Sequence, residues 1–199
     1  PTMSTLPALD QPAVYGRLSR LAHWGGALLT LTMLVIGVVA EDVLSEGPAR
    51  KALWAWHVAI GVFVFLPLLA RVGWRVVAML TGRSPQPLSP AGWTRIAEKV
   101  GHGALLAVLA LMVVTGPLMI WSDGSPIHVL GWFDLPSPID ANKALHYRTG
   151  LLHQLGSKLM IALVLLHLVG VARHGTASLR RMAVTRPLKV VIDSRVVIP

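Results

Sequence analysis

Residues 149–172, TGLLHQLGSKLMIALVLLHLVGVA, are the stretch of this sequence that decides its fold. The stretch carries a single charge, Lys158, and is long enough for a helix to cross a hydrocarbon core of about 30 Å. His153 and His167 lie fourteen positions apart within it. Fourteen residues make nearly four helical turns, so both side chains project from one face, roughly 21 Å apart along the axis. The stretch therefore predicts a membrane helix with one histidine near each edge of the bilayer.

A histidine inside a membrane helix needs a polar partner, which makes each of these two a candidate functional residue. A single membrane histidine often serves as a hydrogen-bonding group between helices. Two histidines on one face at this separation favour a second interpretation, in which each ligates a haem iron. The sequence contains no cysteine, so disulfides, thiolate metal sites and cysteine-held iron–sulfur clusters are excluded. Histidine is left as the main soft ligand.

The composition is that of a small membrane protein rather than a soluble domain. Hydrophobic residues make up 54% of the 199 positions, and the mean hydropathy is +0.63. Three further charge-free stretches, 21–40, 52–70 and 100–121, are long enough to span a bilayer. We therefore predict an all-α fold, a transmembrane four-helix bundle.

The predicted bundle occupies residues 21–172. Residues 1–20 form a short arm without the basic start, apolar run and cleavage site of a signal peptide. Residues 173–199 form a basic tail, in which the pattern KVVI…RVVIP favours a strand. Gly116 and Pro117 are expected to kink the third span.

Lysine and arginine are distributed unequally between the two sides of the predicted bundle. The arm, the segment 71–99 and the tail together carry thirteen of them, whereas the other two connections carry four. Cytoplasmic segments hold the excess in membrane proteins, which is the basis for placing both termini in the cytoplasm. This topology accounts for the net charge of +9, so no nucleic-acid partner is expected.

Depth sorts four histidines into two pairs. His23 and His167 lie near the cytoplasmic ends of their spans, and His57 and His153 near the outer ends. Two haems with two histidine ligands each would use all four, and a four-helix bundle can hold cofactors between facing helices. Small residues near these positions either admit a flat macrocycle or pack helices closely; they are Gly25, Gly26, Gly61, Gly156 and Gly170.

Several stretches match the motifs of a known membrane-protein family. They are RLAHW at 20–24, WHVAIG at 56–61, HGALLAVLALMVVTGPLM from His102, SDGSPIHVLGWFDLPSP at 122–138, and the His153/His167 pair followed by His174. In these stretches the chain resembles the bacterial cytochrome b561 family, small four-helix dihaem proteins that react with quinones. The resemblance covers roughly residues 17–175. It implies that His23, His57, His153 and His167 are the axial ligands of two haem b groups.

Other polar residues beside the spans are candidate cofactor contacts. Arg20 precedes His23 by three positions and either contacts an inner haem propionate or only anchors the topology. Lys158 is costly in lipid unless it is paired, and we predict a contact with an outer haem propionate. His174 and Arg71 lie at the cytoplasmic interface. There His174 either contacts a propionate or, with Arg71, a quinone, or it is only an interfacial histidine.

Three histidines remain. His102 lies level with the inner pair, where it either bonds between helices or contacts a quinone. His128 and His146 fall in the outer loop and are expected to be exposed to solvent.

The resemblance extends to the superoxide oxidases of the family, which implies an oxidoreductase that oxidises superoxide and reduces ubiquinone. Lys143 and Arg148 precede the fourth span and are the catalytic candidates, because positive charge raises the encounter rate with an anion. The other interpretation is that they are solvated loop charges, since the outer segments as a whole have a net charge of −2.

Two other functions stay open. The chain also resembles the cytochrome b subunits that anchor periplasmic hydrogenases and dehydrogenases. A third hypothesis, a histidine-lined proton or metal transporter, dispenses with haem. The expected partners are thus membrane lipid, a quinone, and superoxide or a periplasmic redox protein, in the bacterial inner membrane.

Overall fold

The computed structural model describes residues 7–11, 15–85 and 87–183. Four long antiparallel helices dominate it, and a short fifth helix follows them. They are α1 (Arg17–Val38, continued by a π-helical turn at Val39–Val43), α2 (Pro48–Leu80), α3 (Trp93–Ser122), α4 (Lys143–His174) and α5 (Thr176–Met182). The strand predicted in the tail lies outside the described residues.

The four long helices, α1 counted with its π-helical turn, are each long and apolar enough to cross a membrane. They coincide with the four predicted spans, and the chain is therefore a multi-pass membrane protein by the length and composition of its helices. Each of these helices extends beyond the apolar stretch that predicted it.

Local sequence explains where these helices begin and end. Pro48 occupies the first position of α2, where its missing N–H removes no helical bond. The Asn142 side chain caps α4 by accepting a hydrogen bond from the Leu145 N–H at 3.0 Å. Gly175, with a φ of +58°, ends α4, in a conformation that favours glycine.

Sequential helices pack side by side, and α3 and α4 share the most extensive contact. The core joins α2, α3 and α4 and consists of Val64, Leu68, Val108, Leu109, Val113 and Met160. At Gly156 on α4, a Cβ atom would lie 2.8 Å from the Met112 sulfur on α3, so a larger residue here would require the Met112 side chain to move. Many apolar side chains on the other faces are exposed, as expected of surfaces in contact with lipid.

The described chain departs from the all-α expectation at one hairpin between α3 and α4. Strands β1 (Ile127–Val129) and β2 (Phe133–Leu135) pair antiparallel, with Val129 opposite Phe133. Ile127 and Val129 bury their side chains against Ala59 of α2. The hairpin thus covers one end of the bundle, which we call the hairpin end.

The opposite end, called the terminal end, is where the described chain termini meet. The Trp24 indole N–H donates to the Met182 carbonyl at 2.8 Å. The Arg20 guanidinium donates to the Ala183 carbonyl and, at 2.9 Å, to that of Tyr15. These bonds attach the end of α5 to α1, so both described termini lie on one side of the bundle.

Candidate functional site

The four histidines predicted as ligands form two close pairs. The ring centroids of His57 and His153 are 6.4 Å apart at the hairpin end, with the ring planes at 89°. Those of His23 and His167 are 6.3 Å apart at the terminal end, with the planes at 56°. All four residues are half-buried. The tertiary structure therefore brings together the same two pairs that depth had selected.

The separation within each pair suits one metal ion held between two imidazoles. A bond from a metal ion to an imidazole nitrogen is about 2.0–2.1 Å, and the nitrogen lies about 1.1 Å from its ring centroid, so two opposed rings have centroids roughly 6.3 Å apart. Both measured distances agree with this value. The residues thus fit a haem iron with two axial histidines, and His23, His57, His153 and His167 would hold two such groups.

A spacing of fourteen residues recurs in all four long helices. Each helix carries one residue at the level of the hairpin-end pair and another, fourteen positions away, at the level of the terminal-end pair. The four couples are His23 with Gly37, His57 with Arg71, His102 with Gly116, and His153 with His167. Because fourteen residues restore the same helix face, the two members of each couple lie on one face of their helix.

At the hairpin end, glycines face both histidines. A Cβ atom on Gly37 would lie 3.4 Å from Cε1 of His57, and one on Gly116 would lie 3.4 Å from Cε1 of His153. These glycines leave room for the imidazole rings. Sequence reasoning did not identify either as a ring contact; the spacing of fourteen from His23 and His102 was the signal that was available.

The glycines that were predicted near the ligands have other neighbours. Gly26 faces Arg71, Gly61 faces Met33 and Gly156 faces Met112, while a Cβ on Gly25 or Gly170 would meet nothing within 4 Å. The contacts of Gly26, Gly61 and Gly156 are therefore those of closely packed helices.

Thr115 is a third residue that sequence reasoning missed. Its hydroxyl donates to the Leu111 carbonyl at 2.7 Å, and its oxygen lies 2.9 Å from Nδ1 of His153. Because the Thr115 hydroxyl has only one hydrogen and donates it to the Leu111 carbonyl, its oxygen accepts a hydrogen bond from the Nδ1–H of His153. The Nε2 lone pair of His153 is then left for a metal ion, and the ring orientation is held by a buried side chain.

At the terminal end, polar groups replace the glycines around the pair. The His102 ring centroid is 5.3 Å from that of His167, and its Nδ1 donates to the Glu98 carbonyl at 2.7 Å. The Arg71 guanidinium packs on Gly26, where a Cβ atom would overlap with it.

Arg20 is fully buried next to this level. Its Nε and Nη1 atoms donate to the two backbone carbonyls described above, and Nη2 has no hydrogen-bond partner among the described residues. A buried cation with a free donor suits an anionic group of a bound cofactor.

The other candidate residues lie apart from the histidine pairs. His174 is half-buried and bonds through Nε2 to the Ser89 hydroxyl at 3.2 Å. Lys158 is exposed, and five residues of helix place it about 140° around α4 from His153. Lys143 and Arg148 are exposed in the first two turns of α4.

The two histidines predicted to lie in the outer loop have different environments. His128 is exposed and bonds to Asp134 across the hairpin at 2.7 Å. His146 is only half-buried, and its Nδ1 bonds to the Met119 carbonyl at 2.8 Å, so full exposure to solvent was the wrong expectation for it.

Comparisons with known proteins agree over nearly all of the described chain. The sequence model of the family described as prokaryotic cytochrome b561 matches residues 14–183. Cytochrome b561 homolog 2 of Escherichia coli (strain K12) is 33% identical over 145 residues, which cover 72% of this chain and 75% of that protein. The matched range includes the four long helices, the hairpin and α5.

Proposed function

Because this chain belongs to the prokaryotic cytochrome b561 family of haem b membrane electron-transfer proteins, we propose that it oxidises superoxide and reduces ubiquinone. Two superoxide anions would give two O₂ molecules and two electrons. One ubiquinone would take up those electrons and two protons from water to give ubiquinol. The hairpin end would face the periplasm and the terminal end the cytoplasm, in the bacterial inner membrane.

The two histidine pairs carry this proposal. His57 with His153, and His23 with His167, would each hold one haem b, and haem iron supplies a reversible one-electron change. Fourteen residues of α4 separate the two levels, roughly 21 Å along the helix. The chain therefore offers one redox position near each membrane surface, which is the arrangement that an outer donor and an inner acceptor require.

Charge at the start of α4 supports superoxide as the donor. Lys143 and Arg148 are exposed near the N-terminus of this helix, where the backbone dipole adds positive potential and basic residues are unfavourable for stability. Among the described residues, neither has a carboxylate within 4.0 Å, whereas Arg50 pairs with Glu41 at 2.9 Å and with Glu46 at 3.6 Å. Lys143 and Arg148, like Lys51, are thus outer cations available to attract an anion.

Further contacts with the haem groups are part of the proposal. Arg20 would donate its free Nη2 to an inner propionate. His174 would contact an inner propionate or the quinone, and Lys158 an outer propionate, reaching it by extending its side chain along α4.

An electron-transfer subunit is the second candidate. The hairpin presents Trp132, which is 71% exposed, and the outer segments have a net charge of −2. An exposed aromatic residue on an acidic surface suits a docked basic protein. Electrons would then come from a periplasmic hydrogenase or dehydrogenase rather than from superoxide.

The purified chain alone distinguishes the two candidates. Mixed with superoxide in a stopped-flow instrument, it should show haem reduction faster than the uncatalysed reaction, and it should reduce a ubiquinone analogue. If the isolated chain does not accelerate the reaction and a second subunit copurifies with it, the chain is an electron-transfer anchor subunit and not a superoxide oxidase.

A further inference from the structure

We propose that the tip of the β1–β2 hairpin lies in the membrane, with the Trp132 side chain in contact with lipid acyl chains. The proposal concerns the leaflet at the hairpin end and holds for either orientation of the bundle. It is independent of the proposed function. It requires only that α2 crosses the membrane, as the length and composition of this helix indicate.

The hairpin packs on the side of α2 that is turned away from the histidine pair. Strand β1 packs against Ala59, which helical geometry places about 200° around α2 from His57. At the tip of the hairpin, the ring centroids of Trp132 and Phe133 are each 6.4 Å from that of Phe63. Phe63 lies about 240° around α2 from His57, close to the direction of Ala59. The hairpin therefore lies on the outside of α2, where a membrane helix meets lipid.

Helical rise gives the depth of the tip. Phe63 follows His57 by six residues, which places it about 9 Å further from the hairpin end along α2. The 6.4 Å between the ring centroids of Phe63 and Trp132 is shorter than this rise, so the Trp132 ring is at least as deep as His57. His57 is itself the sixth residue of the apolar stretch 52–70, about 7.5 Å from its start. Trp132 is thus level with the apolar part of α2.

The exposed rings at the tip continue an apolar surface of α2. Trp132 is 71% exposed and Phe63 is 55% exposed, and Leu66, one turn deeper on the same side of α2, is 69% exposed. At this depth the surroundings of an exposed side chain are acyl chains. Tryptophan suits the outer part of a leaflet, because its ring is apolar and its indole N–H is a polar donor.

The polar groups of the hairpin are compatible with this position. His128 and Asp134 lie opposite each other on the two strands, and their side chains pair at 2.7 Å. Ionisable residues beside the apolar region are usually paired in this way. The backbone N–H of Trp132 donates to the Val129 carbonyl at 2.8 Å, so this donor has a partner within the turn. The second candidate function takes Trp132 as a docking residue, and a lipid contact removes it from such a surface.

A nitroxide spin label at position 132 tests the inserted tip. The sequence contains no cysteine, so Trp132→Cys creates a single labelling site. Power-saturation EPR of the haem-loaded protein in lipid nanodiscs compares access of oxygen, which concentrates in lipid, with access of a water-soluble nickel chelate. The label should be at least as deep as one at Trp56→Cys, and its accessibility should resemble that at Leu66→Cys; both are exposed positions of α2. Ile139→Cys is the control in water, because it is exposed in the same loop beyond the hairpin.

Hydroxyl-radical footprinting of the wild type in the same nanodiscs keeps the native side chain, and it decides the question if Trp132→Cys fails to load haem. Trp132 and Tyr147 are both 71% exposed, but Tyr147 lies beside the charged Arg148, six residues outward of His153. Radicals formed in water should therefore oxidise Tyr147 and leave Trp132 protected. A label at position 132 that the nickel chelate reaches as readily as at Ile139, or oxidation of Trp132 equal to that of Tyr147, would overturn the inserted tip.

Discussion

The Thr115 oxygen lies 2.9 Å from Nδ1 of His153 and accepts a hydrogen bond from the Nδ1–H, which fixes the tautomer and orientation of that ring. The bond joins α3 to α4 at the hairpin-end pair. An imidazole that donates to an oxygen is a stronger electron donor to a metal ion, and it therefore favours the ferric state.

Replacing Thr115 by valine should raise the midpoint potential of the haem held by His57 and His153. The shift should be on the order of 60 mV, which corresponds to a tenfold change in the relative affinity for the two oxidation states. Thr115→Ser keeps the oxygen and should retain the wild-type potential. A redox titration measures both haems, and equal shifts at the two levels would contradict a local effect through His153.

Alanine at His153 or at His167 should each remove one haem and leave the other. Each histidine pair has one member on α4, which is His153 at the hairpin end and His167 at the terminal end. The two substitutions therefore act at different levels. A pyridine hemochrome assay should show about half the wild-type haem per chain in each variant. His128→Ala, in an exposed hairpin pair, should keep the full content; a full content in His153→Ala or His167→Ala would exclude that residue as a ligand.

Leucine at Gly37 or Gly116 should reduce haem binding at the hairpin end. A Cβ atom at either position already touches a histidine ring at 3.4 Å, so a longer side chain must displace that ring. Loss of a positioning contact typically costs roughly 10–100-fold in metal affinity. Gly73→Leu is the control, since a Cβ there meets nothing within 4 Å. Equal haem affinities in all three variants would show that Gly37 and Gly116 do not keep the imidazole rings in position.

Methionine at Lys158 tests the proposed propionate contact. Loss of a nearby positive charge should lower the midpoint potential of the outer haem, because that charge favours the electron-rich reduced form. Haem should still bind, since the histidines are intact. Lys143→Met removes the same charge at the start of α4 and serves as the comparison. An unchanged potential in Lys158→Met would leave Lys158 as an exposed residue on the lipid-facing side of α4.

Reversing the charge of Lys143 and Arg148 together to glutamate should slow haem reduction by superoxide. The wild-type rate should also fall with ionic strength, because exposed charges are screened over about 8–10 Å at roughly 0.1–0.15 M salt. In the double variant the salt dependence should reverse, with a rate that rises with ionic strength as the repulsion is screened, while electron transfer between haem and quinone is retained. Stopped-flow traces across a salt series provide the measurement. A wild-type rate that does not depend on salt would remove these two residues from the reaction.

Sequence alone was sufficient for the four spans and for the pairing of the histidines by depth. Both are local properties, since an apolar stretch of sufficient length predicts a span, and helical rise converts the spacing of His153 and His167 into a depth. The same local rule would have identified Gly37 and Gly116 at their levels, because each is fourteen residues from a histidine in its own helix.

Only the tertiary structure decided which side chains of different helices meet. The contact of Gly37 with His57, the bond from His153 to Thr115, and the packing of Arg71 on Gly26 all depend on the rotation of each helix about its axis and on its neighbours. The hydrogen bonds from Arg20 and Trp24 to the end of α5 also depend on helix rotation and on which helices are neighbours. Rotation and neighbour order follow from packing among residues far apart in sequence, whereas helical periodicity is a property of each segment by itself.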